Sequence, residues 1–210
     1  MELQIAIMKN AAELETTQPF VIDSLLWGTE SIPRTYGYLG YVPDDGFYLK
    51  MVCEEENPLR TYTEYQSPVC LDSAMEAFLM FGGGSDPEPV YLNLEANANG
   101  ALLAEYGTER NGRIRFSREE GEAFGCRTGI RDGQWTLSLR LPLAVLDRIY
   151  GRKLDLQEGS RFSCNFYKVC ETEGAGMHYA SLFPVRSEKP DFHRPQDFGG
   201  AVLRKTAKLL

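Results

Sequence analysis

No stretch of this chain approaches the ~20 consecutive apolar residues that a membrane-spanning helix requires. Positive charge is also scarce: 22 basic residues face 30 acidic ones, for a net charge of −8. That balance repels phosphate backbones and anionic bilayers, so neither nucleic acid nor a membrane is expected as a partner. The opening MELQIAIMKNAAELE has no basic segment before its short apolar run and does not read as a secretory signal. Five cysteines (Cys53, Cys70, Cys126, Cys164, Cys170) are odd in number and widely spaced. They are expected to be mostly buried free thiols in a reducing compartment, which points to the cytoplasm, or to the outside only if a leader has been removed. Nucleophile-elbow, P-loop and Rossmann signatures are missing, as are internal repeats.

What is present describes a β protein. A hydrophobic fraction of 43% supports a real core, and 20 glycines, 11 prolines, 11 tyrosines and 11 phenylalanines suit short strands joined by tight turns. The 210 residues fit one domain, with residues 1–35 as a lead-in and 36–205 as the body. Strands are predicted at Leu3 to Met8, Tyr36 to Val42, Phe47 to Cys53, Met75 to Phe81, Val90 to Asn97, Ala101 to Gly107, Cys126 to Ile130, Gln134 to Leu141, Arg161 to Val169, His178 to Leu182 and Gly199 to Leu203. Pro43-Asp44-Asp45-Gly46 and Arg131-Asp132-Gly133 read as hairpin turns, and GGGSDPEP (residues 82–89) as a flexible loop. The stretch from Gly107 to Glu122 is charged and weakly patterned. One helix is predicted, from Pro142 to a closing Gly151, with Leu143, Leu146, Ile149 and Tyr150 on one face. The fold class expected is a mainly β, single antiparallel β-sandwich of jelly-roll or immunoglobulin-like form with that one crossover helix, an α+β sheet being the alternative.

The chemistry concentrates in DSAMEAFLMF (Asp72 to Phe81) and VYLNLEANANG (Val90 to Gly100). In the second, Val90, Leu92, Leu94 and Ala96 share one face of a strand, and Tyr91, Asn93, Glu95 and Asn97 the other. The same alternation puts Glu76 and Phe78 opposite Met75, Ala77 and Leu79, and Asn165 and Tyr167 on the polar side of their strand. Paired across one sheet, Glu76, Asn93, Glu95, Asn97, Asn165 and Tyr167 would make a patch of donors, acceptors and rings bordering an open concave surface. Carboxylates and amides take vicinal hydroxyls, and rings stack on the apolar faces of pyranoses, so the patch suits a saccharide. A merely solvated strand face is the plain alternative.

The ordered motifs VCLDSAMEAF, YLNLEANANG, NFYK, HYASLFP and KPDFHRPQDFG resemble those of family 9 carbohydrate-binding modules, within the wider DOMON-like β-sandwich group. The resemblance runs from about Gly37 to Leu203. It implies a sugar end gripped between two tryptophans, hydrogen bonds from a glutamate, an arginine and an asparagine, and calcium as a candidate fold-supporting ion. Residue by residue it points to Glu76, Asn93 and Glu95, and to Arg110 as the arginine. Cys70 and Leu182 stand where the family's tryptophans are expected, and neither Trp27 nor Trp135 lies in these motifs, leaving Tyr62, Tyr65, Tyr167 or Phe183 as substitute rings. A separately encoded glycan-degrading enzyme of a bacterial carbohydrate-catabolic system is the partner such a module implies.

Weaker signals remain. Asp191, His193 and Arg194 form a polar loop cluster that suits either a ligand contact or local hydrogen bonding. His178 with Cys164 and Cys170 is poorly spaced for zinc, and Asp44-Asp45-Gly46 is a turn before it is a calcium ligand. The functions left open are non-catalytic saccharide binding, glycoside hydrolysis by Glu76 and Glu95, and a degenerate sandwich that binds a protein.

Overall fold

Alternating apolar residues, broken by glycine-bearing turns, generate the strands of this protein. The computed structural model describes residues 2–82 and 90–205, so most of the loop expected at residues 82–89 lies outside the described residues. Its strands are β1 (Leu3–Ile7), β2 (Phe20–Ile22), β3 (Ser24–Leu25), β4 (Thr35–Val42), β5 (Gly46–Cys53), β6 (Ala74–Met80), β7 (Tyr91–Asn97), β8 (Leu102–Gly107), β9 (Ile114–Arg115), β10 (Arg127–Arg131), β11 (Gln134–Pro142), β12 (Arg161–Cys170), β13 (His178–Ser181) and β14 (Gly199–Lys205). The helices are α1 (Arg118–Ala123) and α2 (Leu143–Tyr150).

The main path of the sheet runs β10-β11-β5-β4-β1-β14-β12-β6-β7-β8-β9. The sheet is mixed, which corrects the antiparallel expectation: β1 pairs parallel with both β14 (Leu3↔Ala201) and β4 (Ala6↔Gly40). The start of the chain is thus an internal strand that welds two antiparallel halves together. Period-two alternation cannot reveal this, because it says which face a residue takes and nothing about the direction of the neighbour. Residues 1–35 are more than a lead-in, since β2 also pairs with β4 and β3 with β13.

The sheet curls. Phe47 on β5 packs on Phe162 of β12 at 5.3 Å between ring centroids, although three strands separate them in the sheet order. Phe20 stacks on Phe166 at 4.1 Å. The enclosed core takes alternate residues from both halves: Trp135, Leu137, Leu139 and Leu141 from β11, Phe162, Cys164 and Phe166 from β12, and Leu92, Leu94 and Ala96 from β7. Asp132 and Gly133 both have positive φ (54° and 77°), the requirement of the two-residue turn that joins β10 to β11. Gly46 is needed for a different reason: a Cβ there would stand 2.2 Å from the carbonyl oxygen of Leu141.

Pro142 ends β11 and also caps α2, and Gly151 closes that helix in the left-handed region at φ 61°. The second helix, α1, lies in the stretch read as unpatterned. A capping box starts it: the Ser117 hydroxyl accepts from Glu120 N–H while the Glu120 carboxylate accepts from Ser117 N–H. None of the described helices is long and apolar enough to cross a membrane.

Candidate functional site

The three strands β12-β6-β7 set the register of the polar face. Glu76 stands directly opposite Glu95 on one side and Tyr167 on the other; Phe78 stands between Asn93 and Asn165. The predicted row of co-planar partners is therefore present. Its exposure differs from expectation: every residue of β7 is buried, and the face forms a second core rather than an open surface. The roof comes from Trp27, Tyr179, Val185, Phe192 and Phe198, supplied by segments remote in sequence.

Under this roof several of the expected ligand residues are committed to the protein. Asn97 donates to Tyr62 O and Asp72 Oδ2 and accepts from Asn99 N–H and Ala101 N–H, which uses all four of its hydrogen bonds to hold a turn. Asn165 ties Phe183 at both backbone groups, accepting its N–H at 2.9 Å and donating to its oxygen at 3.0 Å. Tyr167 lies stacked beneath Phe192 at 4.0 Å. Tyr91 is fully buried, with its hydroxyl 3.0 Å from His193 Nδ1 and the Arg113 guanidinium 4.0 Å over its ring. These four side chains build the wall behind the pocket and offer it no open surface.

Asn93 is an intermediary. Its Oδ1 accepts from Arg113 Nε at 2.9 Å, and its Nδ2 donates to Glu95 Oε1 at 2.8 Å. Arg113 also donates to Tyr91 O and Glu109 O. The chain Arg113–Asn93–Glu95 thus orients one carboxylate. Glu76 has no such support: it is 3% exposed and, among the described residues, has no hydrogen-bond partner. Burial, then the neighbouring Glu95 and Glu171, holds its carboxyl well above the usual carboxylate range. Glu95 is raised as well, by burial, against the lowering effect of the Asn93 hydrogen bond. Like charges directly opposite on adjacent strands repel, so the pair holds protons that isolated carboxylates would have lost.

The two carboxyls floor a pocket that encloses about 90 Å³. Arg110 and Asp191 line it as an ion pair at 2.6 Å. Phe78 and His193 also line it, their rings 5.0 Å apart. His193 is pushed down to about 3 by burial and then by Arg113 and Arg110, so its ring is neutral. Glu76, Glu95, Arg110 and His193 are the predicted residues that reach the pocket.

The aromatic side was missed. Trp27, Tyr179 and Phe192 form it, with Trp27 at 5.3 Å from each of the other two rings. Trp27 follows β3 with φ 48°, a strained backbone for a bulky residue, and its Nε1 donates to Ser187 O at 2.8 Å. Only the pairing of β3 with β13 carries it there, so no local signal announces it. Phe192 sits within the KPDFHRP motif and could have been found. Of the proposed substitute rings, Tyr65 is spent on Phe116 O and Ser117 O, and Phe183 packs against Gly199.

Among the described residues no three His, Cys, Asp or Glu side chains are placed to hold a metal ion. Asp45 is engaged by Arg140 and by the Tyr48 hydroxyl, so the calcium reading of that turn does not fit. His178, the register partner of Cys170, is engaged by Lys168, whose Nζ donates to His178 Nε2 at 2.8 Å and to Ser73 Oγ at 2.7 Å and stands 3.6 Å from Glu55 Oε2. All five cysteines are free thiols.

Comparison with known proteins bears on the fold and the family. A search of curated proteins gave no match. A solved structure of a candidate carbohydrate-binding protein from Bacteroides uniformis superposes with a TM-score of 0.80 at 19% identity, covering 97% of this chain and 99% of that one. Two structures of a family 9 carbohydrate-binding module from Caldicellulosiruptor kristjanssonii also match. The complex with cellotriose has a TM-score of 0.63 at 10% identity, covering 99% of this chain and 96% of that one. The glucose complex has 0.64 at 12%, covering 100% and 99%. The family model for carbohydrate-binding family 9 matches residues 4–203, nearly the whole sequence. With that match the chain belongs to carbohydrate-binding family 9.

Proposed function

We propose that this protein binds a saccharide without cleaving it, taking a terminal sugar ring into the pocket floored by Glu76 and Glu95. The observation that carries this reading is Glu76: a carboxyl buried to 3% exposure, facing a pocket, with no protein partner among the described residues. A carboxyl that opens onto a pocket without a protein partner is free to hydrogen-bond a sugar hydroxyl. Trp27, Tyr179 and Phe192 supply an apolar aromatic surface in place of the two tryptophans expected at Cys70 and Leu182. The enclosed volume of about 90 Å³ is below the ~300–1,000 Å³ usual for small-molecule sites, which favours one ring entering from the open side. The module from Caldicellulosiruptor kristjanssonii, solved with glucose and with cellotriose, supports the same ligand class. The curled sheet is read as a DOMON-like sandwich. Five free thiols favour a reducing compartment, where a bacterial module would hold a small saccharide alongside a separately encoded glycan-degrading enzyme.

Calorimetry against a panel of mono- and disaccharides tests this. Binding at millimolar or better, weakened at least about tenfold in Glu95→Gln, is the expected result. If no sugar binds or raises the melting temperature at millimolar concentration, the reading fails and a protein-binding role takes its place.

Hydrolysis remains a second reading because Glu76 and Glu95 are register partners, a spacing of ~5 Å that suits retaining glycosidases. Against it, both carboxyls sit side by side on one face and both are held toward the protonated form, which weakens either of them as a nucleophile. Turnover of aryl glycosides that disappears in Glu95→Gln would reverse this choice.

A further inference from the structure

The pocket carries more negative charge than a neutral sugar needs. Glu76, Glu95, Glu171 and Asp191 line it, against Arg110 as the one cation among its described lining residues. Arg110 is already paired with Asp191 at 2.6 Å. The next cations are engaged elsewhere. Arg113 is directed at Asn93, Tyr91 and Glu105, and Lys168 projects from the opposite face of β12 toward Ser73 and His178. Glu76, Glu95 and Glu171 therefore have no lining cation of their own.

We propose that the saccharide preferred by this pocket carries a protonated amine, seated between Glu76 and Glu95. This rests on the saccharide reading above and names its ligand class. A single hydroxyl has one proton to donate and cannot serve two opposed carboxylates at once, so a neutral sugar must bring two hydroxyls to the pair or leave one of its members protonated. An ammonium has three donors and satisfies both as carboxylates. Their Cβ atoms, as direct cross-strand partners, stand ~4.5–5.5 Å apart, a gap one ammonium bridges. Trp27 lines the same pocket and gives it an aromatic ring. The other groups facing the pair are Glu171 after β12, Glu105 on β8, Arg110 and Arg113 beyond β8, and Asp191 and neutral His193 in the loop before β14. Their sum remains negative. Because burial and repulsion hold protons on the pair, seating an ammonium there displaces a proton into solvent.

The test is calorimetry on the full chain at about pH 6.5, with 2-amino sugars, each against its neutral parent and its N-acetyl derivative, in buffers of different ionisation enthalpy. At least one amine should bind about tenfold or more tighter than its parent, lose that advantage on acetylation, and release protons to the buffer. In Glu76→Gln the amine should lose its advantage over the neutral parent, and the proton release should fall with it. Equal affinity for amine and parent in every pair overturns this inference and leaves saccharide binding standing, as does a preference undiminished in both Glu76→Gln and Glu95→Gln. Failure of every sugar, neutral or amino, overturns both.

Discussion

Lys168 and Glu76 occupy adjacent strands one register step apart, Tyr167 pairing with Glu76 and Lys168 with Met75, so their side chains take opposite faces of the sheet. Both are buried ionisable groups, and their surroundings differ completely. Lys168, 0% exposed, meets Ser73, His178 and Glu55. Glu55 in turn accepts from Ser73 Oγ at 2.5 Å and Trp135 Nε1 at 3.1 Å. Burial alone would raise the Glu55 carboxyl, but Lys168, Ser73 and Trp135 outweigh it and hold the group low. Glu76 faces a second carboxyl and a pocket. One face thus closes its polar network inside the protein, and the other leaves its network for something outside to complete. Fully satisfied buried networks rigidify a fold, whereas incomplete ones cost stability that a ligand can restore.

The comparison breaks first at Lys168. Lys168→Met should destabilise by ~3–5 kcal/mol in denaturant titration, since it strands the Glu55 carboxylate. A loss below ~1 kcal/mol would show that the closed network does little for the fold.

A smaller effect is expected from acid. His178 is pushed down to about 4, mainly by burial and then by Lys168. The unfolded chain therefore binds more protons between about pH 6.5 and 4, so stability is intact above that window and falls as pH drops through it. His178→Gln should flatten this limb in a melting-temperature series, apart from the remainder due to His193. An unchanged limb would place acid sensitivity elsewhere.

Glu76 has the opposite sign. Its raised value makes its contribution complete below the unfolded carboxylate value near 4.3 and lost as pH rises toward the folded one. Glu76→Gln should match the native chain at about pH 4 and melt higher than it at about pH 8. Destabilisation at high pH would mean that Glu76 has found a partner. The last test sharpens the ligand side: Trp27→Ala should weaken sugar binding about tenfold in calorimetry.

The strand pattern and half of the pocket were legible because both depend on local alternation. Glu76 and Glu95 could be placed on one face from residues two apart, without knowing what covers them. Asn97 and Asn165 shared that pattern and were misread, because their partners Asp72, Tyr62 and Phe183 come from remote loops. The helix at Arg118–Ala123 had a readable capping box, obscured by the charged residues around it. Trp27 had no readable signal, since its place depends on Leu25 pairing with Ala180.

Composition and period-two patterning by themselves determined a β protein with an acidic, hydrogen-bonding strand face, since each strand's two sides are written in its own residues. Tertiary structure alone decided that β1 runs parallel to its neighbours, that loops roof the polar face, and that a tryptophan from the first thirty residues lines the same pocket as Glu76. Those outcomes depend on which distant segments pair and pack, a choice made by the burial of the whole chain at once.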